Sequence, residues 1–163
     1  MKKSVIAVLM AGALLLNAGA LFAQGNMMEM PNEQQIKLLR QEMRSQKKLL
    51  VAANMPLTED EAQKFWPVYE EYALEESTII DTRVTMIKEY AEDYTTLTDS
   101  QARNLIKRWI QADDAEVQLR LKYIPIFSKV LPAKKMALFI QIDRRFGQVL
   151  DVKVMSAIPL VHP

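Results

Sequence analysis

The chain has 163 residues, enough for one domain with a modest core, and it contains no cysteine, so no disulfide stabilises it. Its 21 basic and 20 acidic residues nearly balance, which argues against nucleic acid as a partner. Of four glycines, only Gly147 lies beyond residue 25, which argues against β-rich and nucleotide-binding folds, since tight hairpins and phosphate-binding loops need glycine.

Residues 1–23 have the pattern of a secretory signal peptide. Lys2 and Lys3 precede an apolar run, and small residues follow it. We favour cleavage after Ala23 over cleavage after Ala20, and an uncleaved membrane anchor is the alternative. Removing the two lysines leaves a net charge near −1. The sequence therefore predicts a periplasmic protein with no membrane span after cleavage.

A first helix is predicted over residues 33–53, because Ile36, Leu39 and Met43 recur at three- and four-residue steps. Asn32 can cap its start. Before it lies a Met-rich segment that we expect to be a flexible flank. Its thioethers could bind copper(I), which makes Met27, Met28 and Met30 weak candidate ligands.

Two matched signals mark the starts of two long helices, predicted over residues 59–93 and 99–131. In each, the threonine side chain can accept a hydrogen bond from the third N–H of the helix. The side chain of the Glu or Gln at that third position can in turn accept a hydrogen bond from the threonine N–H. Both helices have heptad-like apolar seams and would be on the order of 50 Å long, so we expect an antiparallel hairpin. The capping residues are Leu57, Thr58 and Glu61 in the first signal and Leu97, Thr98 and Gln101 in the second.

Each long helix contains one interior proline, Pro67 or Pro125, which should bend it. If the hairpin turns near residues 95–98, the two bends face each other and form one curved layer with exposed aromatic rings. We predict that these rings bind partners: Phe65, Trp66, Tyr69, Tyr72, Trp109, Tyr123 and Phe127.

A fourth helix is predicted over residues 133–154, after Pro132, with Phe139 and Phe146 among the apolar residues along one side. Residues 155–163 are predicted to be an apolar tail that docks in extended form. The expected fold is thus all-α: a long antiparallel helical hairpin with flanking N- and C-terminal helices, which could pair into a curved dimeric cradle. Residues 24–163 would form one domain.

Few residues could carry chemistry. The single histidine, His162, excludes Ser-His-Asp and Cys-His catalysis and the paired Glu-x-x-His sites of helical bundles, so we expect neither an enzyme nor a cofactor. Glu76, Arg83 and Glu116 interrupt the seams. They could form a charge cluster that sets register or binds a partner, or they could line a solvated face.

The first helix is basic and the start of the second is acidic. These charges could complement each other within the fold or in a dimer. A basic amphipathic helix could also touch anionic lipid, which is a minority interpretation.

The paired Leu-Thr-x-x-Glu/Gln elements, behind a signal peptide on a helical chain without cysteine, resemble the LTxxQ family of periplasmic stress proteins, of the Spy and CpxP type. Glu61 stands where that motif has glutamine. A longer resemblance, over most of the chain after residue 23, is to exported helical proteins with no assigned activity. It rests on residues 57–72, 87–91, 130–135 and 158–160.

The resemblance implies a curved helical cradle, often dimeric, that holds unfolded proteins without ATP or dampens an envelope sensor kinase. Our leading hypothesis is therefore a periplasmic, chaperone-like protein whose partners are unfolded or envelope proteins. The alternatives are a regulatory or structural envelope subunit with one dedicated partner, and a weak copper-binding protein.

Overall fold

The computed structural model describes residues 32–161, which form four α-helices and no strand. The all-α class predicted from the sequence is confirmed. The helices are α1 (Glu33–Asn54), α2 (Glu59–Asp93), α3 (Asp99–Phe127) and α4 (Ala133–Ala157). The predicted signal peptide, the three candidate methionine ligands and His162 lie outside the described residues.

Hydrogen bonds within four residues fix where the long helices begin. The Thr58 N–H donates to the Glu61 carboxylate (2.7 Å), and the Glu61 N–H donates to Thr58 Oγ1 (3.3 Å). Thr98 and Gln101 make the same pair of bonds at α3. Because both partners of each pair lie in the first turn, the two starts are properties of the local sequence.

α3 ends at Phe127, four residues before the end predicted from its seam. The N–H groups of Lys129 and Val130 bond three residues back, to Ile126 and Phe127, so the last turn tightens. Pro132 follows at once and disfavours helical backbone at the residue before it. The chain therefore turns over residues 128–130 before α4 begins.

α2 and α3 pack closely along their length and run antiparallel. The Tyr72 ring lies 5.2 Å from the Tyr123 ring, while Glu89 near the end of α2 pairs with Arg108 near the start of α3. Residue numbers rise on one helix as they fall on the other. Both interior prolines lie within continuous helices, and the bend expected at each stays a prediction.

α1 and α4 pack on each other and lie against the α2–α3 hairpin. Lys48 pairs with Glu70 and Glu33 with Lys88, so α1 is antiparallel to α2. Lys135 pairs with Glu61, while Tyr90 bonds to the Pro159 carbonyl, so α4 is parallel to α2. The helices thus alternate in direction around a shared core.

The core is the layer between the hairpin and the α1–α4 pair. No helix among residues 32–161 is both long and apolar enough to span a membrane. The buried cluster consists of Val51, Met55, Phe65, Tyr69, Tyr72, Ala73, Leu119, Tyr123, Phe127, Leu131, Phe139 and Ile142.

Candidate functional site

Five of the seven aromatic side chains predicted to bind partners lie in the core. Phe65, Tyr72 and Phe127 are completely buried, and Tyr69 and Tyr123 are each 2 % exposed. The expectation that their rings are exposed was wrong. The remaining two, Trp66 and Trp109, are half-buried.

Phe139 of α4 closes the aromatic layer. Its ring centroid lies 4.7 Å from that of Phe127, 5.5 Å from that of Phe65 and 5.7 Å from that of Tyr72. Edge-on and tilted contacts at these distances stabilise aromatic clusters beyond the area they bury. The sequence placed Phe139 on the seam of the fourth helix, but no local signal showed that this seam packs over the hairpin rings.

The two tryptophans lie at different places. Trp66 packs edge-on against Phe65 (5.1 Å) and Tyr69 (5.4 Å), with the Lys48 ammonium 5.4 Å from its ring centroid. Trp109 lines an apolar groove beside the last described residues. The structure therefore does not bring the seven predicted residues into one open surface.

Next to the aromatic layer, a buried carboxylate connects all four helices. Asp143 of α4 is 1 % exposed. It forms an ion pair with Lys47 of α1, and it accepts hydrogen bonds from the Tyr72 hydroxyl and from Arg120 Nε, each at 3.0 Å. Burying a carboxylate is costly unless it is paired and hydrogen-bonded; here Oδ2 accepts both hydrogen bonds and Oδ1 faces the Lys47 ammonium as an ion pair.

Lys47 lies between two carboxylates. It is 5 % exposed, and its ammonium donates to both oxygens of Glu76 at 2.7 Å as well as pairing with Asp143. Burial raises the pKa of Glu76 above its ordinary value, and the nearby Asp143 carboxylate acts in the same direction, against the opposing effect of Lys47. The charge of this buried group thus depends on pH.

The charges continue along the hairpin through Glu116. This carboxylate accepts from Arg83 of α2 at 2.7 Å and pairs with Arg120 on its own helix. Arg83 also donates to Asp113 at 2.7 Å and lies 3.4 Å from Asp151 of α4. The sequence left two alternatives for Glu76, Arg83 and Glu116 and favoured a solvated face; the structure instead shows a network of ion pairs between helices.

Sequence reasoning missed the central members of this network, Lys47 and Asp143. A signal was present, because Lys47 takes a seam position between Met43 and Leu50, as Asp143 does between Phe139 and Phe146. A charge on an apolar seam indicates a buried partner, although the sequence does not say which. With each carboxylate paired to a cation, the arrangement holds helices in register.

Exposed large apolar side chains occur on all four helices, and the largest set that shares one helical face lies on α3. Its members are spaced by four, seven, four and three residues, so they share one face of the helix, away from the buried side chains of α3. Asp113 and Asp114 lie within the longest gap, between Ile110 and Val117, so acidic side chains interrupt the apolar face there. We call this set the α3 stripe: Ile106 (64 % exposed), Ile110 (61 %), Val117 (50 %), Leu121 (54 %) and Ile124 (40 %).

Comparisons with known proteins found no matching family model, no similar curated protein and no similar solved structure.

Proposed function

We propose that the protein is an exported, ATP-independent binding protein of chaperone-like type, which holds apolar segments of unfolded or envelope proteins on the α3 stripe. Five of the seven aromatic side chains expected to do this are in the core, so the proposal rests on the aliphatic side chains of the stripe instead. Export rests on the predicted signal peptide, and the resemblance to the LTxxQ stress proteins supports the same class of activity.

The observation that carries the proposal is the size and order of the stripe. Its five residues are each between 40 % and 64 % exposed and lie on one helical face, and exposed apolar sets of this kind mark protein-interaction sites. Exposed leucines and isoleucines scattered singly need no such explanation, but five on one helical face do.

The stripe suits clients that differ in sequence. Aliphatic side chains contact other apolar groups without a required direction, since the hydrophobic effect is non-directional, so a partner needs apolar side chains and no particular motif. Binding of this kind needs neither nucleotide nor metal. Release would follow when the client folds and buries its own apolar side chains.

The test is suppression of aggregation of several unrelated unfolded proteins at near-stoichiometric amounts. The double variant Ile110→Lys/Val117→Lys should lose most of this activity while its thermal unfolding stays unchanged, because both side chains are at least half exposed. The matched control, Leu38→Lys/Leu49→Lys, changes two exposed leucines on α1 and should keep the activity. Equal activity of the two variants, or no activity of the unaltered protein, would reject the proposal.

The second candidate is a regulatory or structural envelope subunit with one dedicated partner. The regular spacing of the stripe favours it, because a heptad-like face fits one partner helix well. A single partner recovered with the unaltered protein but not with Ile110→Lys/Val117→Lys, together with no effect on unrelated clients, would support this candidate.

A further inference from the structure

An apolar groove lies where the end of α2 and the start of α3 meet the residues that follow α4. Ile87 and Tyr90 of α2 form one wall, and Leu105 and Trp109 of α3 form another. The cavity between them and the chain end has a volume of about 210 Å³. We call this the tip groove. It is distinct from the α3 stripe, since its α3 members lie on the half-buried side of that helix.

Residues 158–161, the last that the structure describes, line this groove in an irregular conformation, and we call them the tail. The backbone at Ile158 is extended (φ −91°, ψ 126°), and the Tyr90 hydroxyl donates to the Pro159 carbonyl at 2.8 Å. Ile158 and Pro159 are half-buried, but Leu160 is 84 % exposed. The tail is therefore held mainly through this hydrogen bond and the half-buried side chains of Ile158 and Pro159, while Leu160 and Val161, which also line the groove, stay at least half exposed.

The groups of the tail that the groove contacts are common to many polypeptides. It contacts an extended backbone, one carbonyl oxygen and apolar side chains, and any extended apolar segment offers these. The space left beside the tail is also considerable: an engineered apolar cavity of about 150 Å³ binds benzene, so the tip groove could accept one more large apolar side chain.

We propose that the tip groove is a second protein-binding site, that its ligand is an extended apolar segment of another protein, and that the tail occupies it as an internal competitor. The hydrogen bond to a backbone carbonyl favours a polypeptide over a small apolar molecule. This inference rests on the proposed protein-binding function and adds a site to it.

Competition between the tail and a ligand for the tip groove determines how much tail removal should change the ligand's affinity. A ligand binds only the fraction of molecules in which the tail is displaced, so its apparent affinity falls by that fraction. Removing the tail should tighten binding by the inverse of the open fraction, on the order of tenfold for a groove that the tail closes in about nine molecules out of ten.

The experiment measures Trp109 fluorescence in a Trp66→Phe background, with a synthetic peptide of residues 155–163 as the probe. The chain ending at residue 157 should bind the peptide about tenfold more tightly than the full chain. Adding Tyr90→Phe to the shortened chain should weaken binding about fivefold, as expected for one neutral hydrogen bond. Tyr94→Phe, a tyrosine outside the groove, is the matched control and should leave binding unchanged.

Two controls test whether the measured binding depends on release of the tail and on the apolar side chains of the peptide. Ile158→Asp in the full chain should also release the tail, and it keeps the chain length if the shortened chain folds poorly. A peptide in which serine replaces the residues equivalent to Ile158 and Leu160 should not bind. Failure of both released chains to bind the probe, or binding equal to that of the full chain, would overturn the inference. A dimer that forms through the tail and disappears on truncation would also overturn it.

The outcomes separate the two proposals. If the probe binds but no client aggregation is suppressed, the groove stands and the chaperone-like function fails. If clients are protected through the α3 stripe but the probe does not bind, the function stands and the groove inference fails.

Discussion

Replacing Asp143 by asparagine tests whether the buried network holds the four helices together. The change keeps the shape of the side chain and removes its charge. The Tyr72 hydroxyl, Arg120 and Lys47 all contact this carboxylate. In the variant, an amide NH₂ group must lie among three donors, and two cations each lose one of their carboxylate partners.

The expected loss in the free energy of unfolding depends on which carboxylate partners Lys47 and Arg120 keep in the variant. Removing one partner of a buried ion pair costs about 3–5 kcal/mol, because the remaining charge is uncompensated. Here Lys47 keeps Glu76 and Arg120 keeps Glu116, so we expect the lower end, about 3 kcal/mol. That loss corresponds to a fall in Tm of about 10 °C for a domain of this size.

The assay is urea unfolding followed by circular dichroism at neutral pH. Asp114→Asn is the control, because Asp114 is exposed and pairs only weakly with Gln118 at 3.3 Å, so its loss should stay below about 0.5 kcal/mol. The triple variant Lys47→Met/Glu76→Met/Asp143→Leu should recover much of the stability, since the Lys47 ammonium and both of its carboxylate partners are removed together. An Asp143→Asn variant as stable as the control would refute the reasoning.

Four further predictions use the same unfolding measurement. Burial raises the pKa of Glu76, so the unaltered protein loses stability as the pH rises from the ordinary glutamate pKa towards the raised pKa. Glu76→Gln has no such carboxylate and should gain stability relative to the unaltered protein over this range. The pKa of neighbouring Glu75 is lowered, chiefly by Lys122 and Tyr123, so Glu75→Gln should lose relative stability as the pH rises; parallel slopes for the two variants would contradict both assignments. Phe139→Ala should lower the free energy of unfolding by about 3–5 kcal/mol, and a loss below about 1 kcal/mol would mean that this ring does not close the aromatic layer. Thr98→Ala should cost about 1 kcal/mol, while Ser100→Ala in the same turn should not change stability measurably.

The start of each long helix follows from the sequence, because the atoms involved lie within one helical turn. Thr58 with Glu61, and Thr98 with Gln101, make bonds that any chain with these residues could form locally. The end of α3 depended on a less local feature. Its apolar seam continues to Leu131, but the turn before Pro132 ends the helix at Phe127.

The exposure of the aromatic side chains could not be predicted from the sequence. Apolar spacing identifies the face of a helix that is buried, but exposure also depends on whether another helix covers that face. Phe65 and Phe127 looked available on a two-helix hairpin, and Phe139 from α4 seals them. Only the packing of α4 on the hairpin, which involves contacts between distant parts of the chain, decides this.

The sequence by itself therefore determined the helices, their starts and the all-α class, because capping and periodicity act over a few residues. The tertiary structure alone decided that the aromatic rings form the core, that Lys47 and Asp143 meet in a charged network, and that aliphatic side chains of α3 stay exposed. The physical reason is that burial and charge pairing depend on neighbours that are far apart in the chain, such as Tyr72 and Asp143, 71 residues apart.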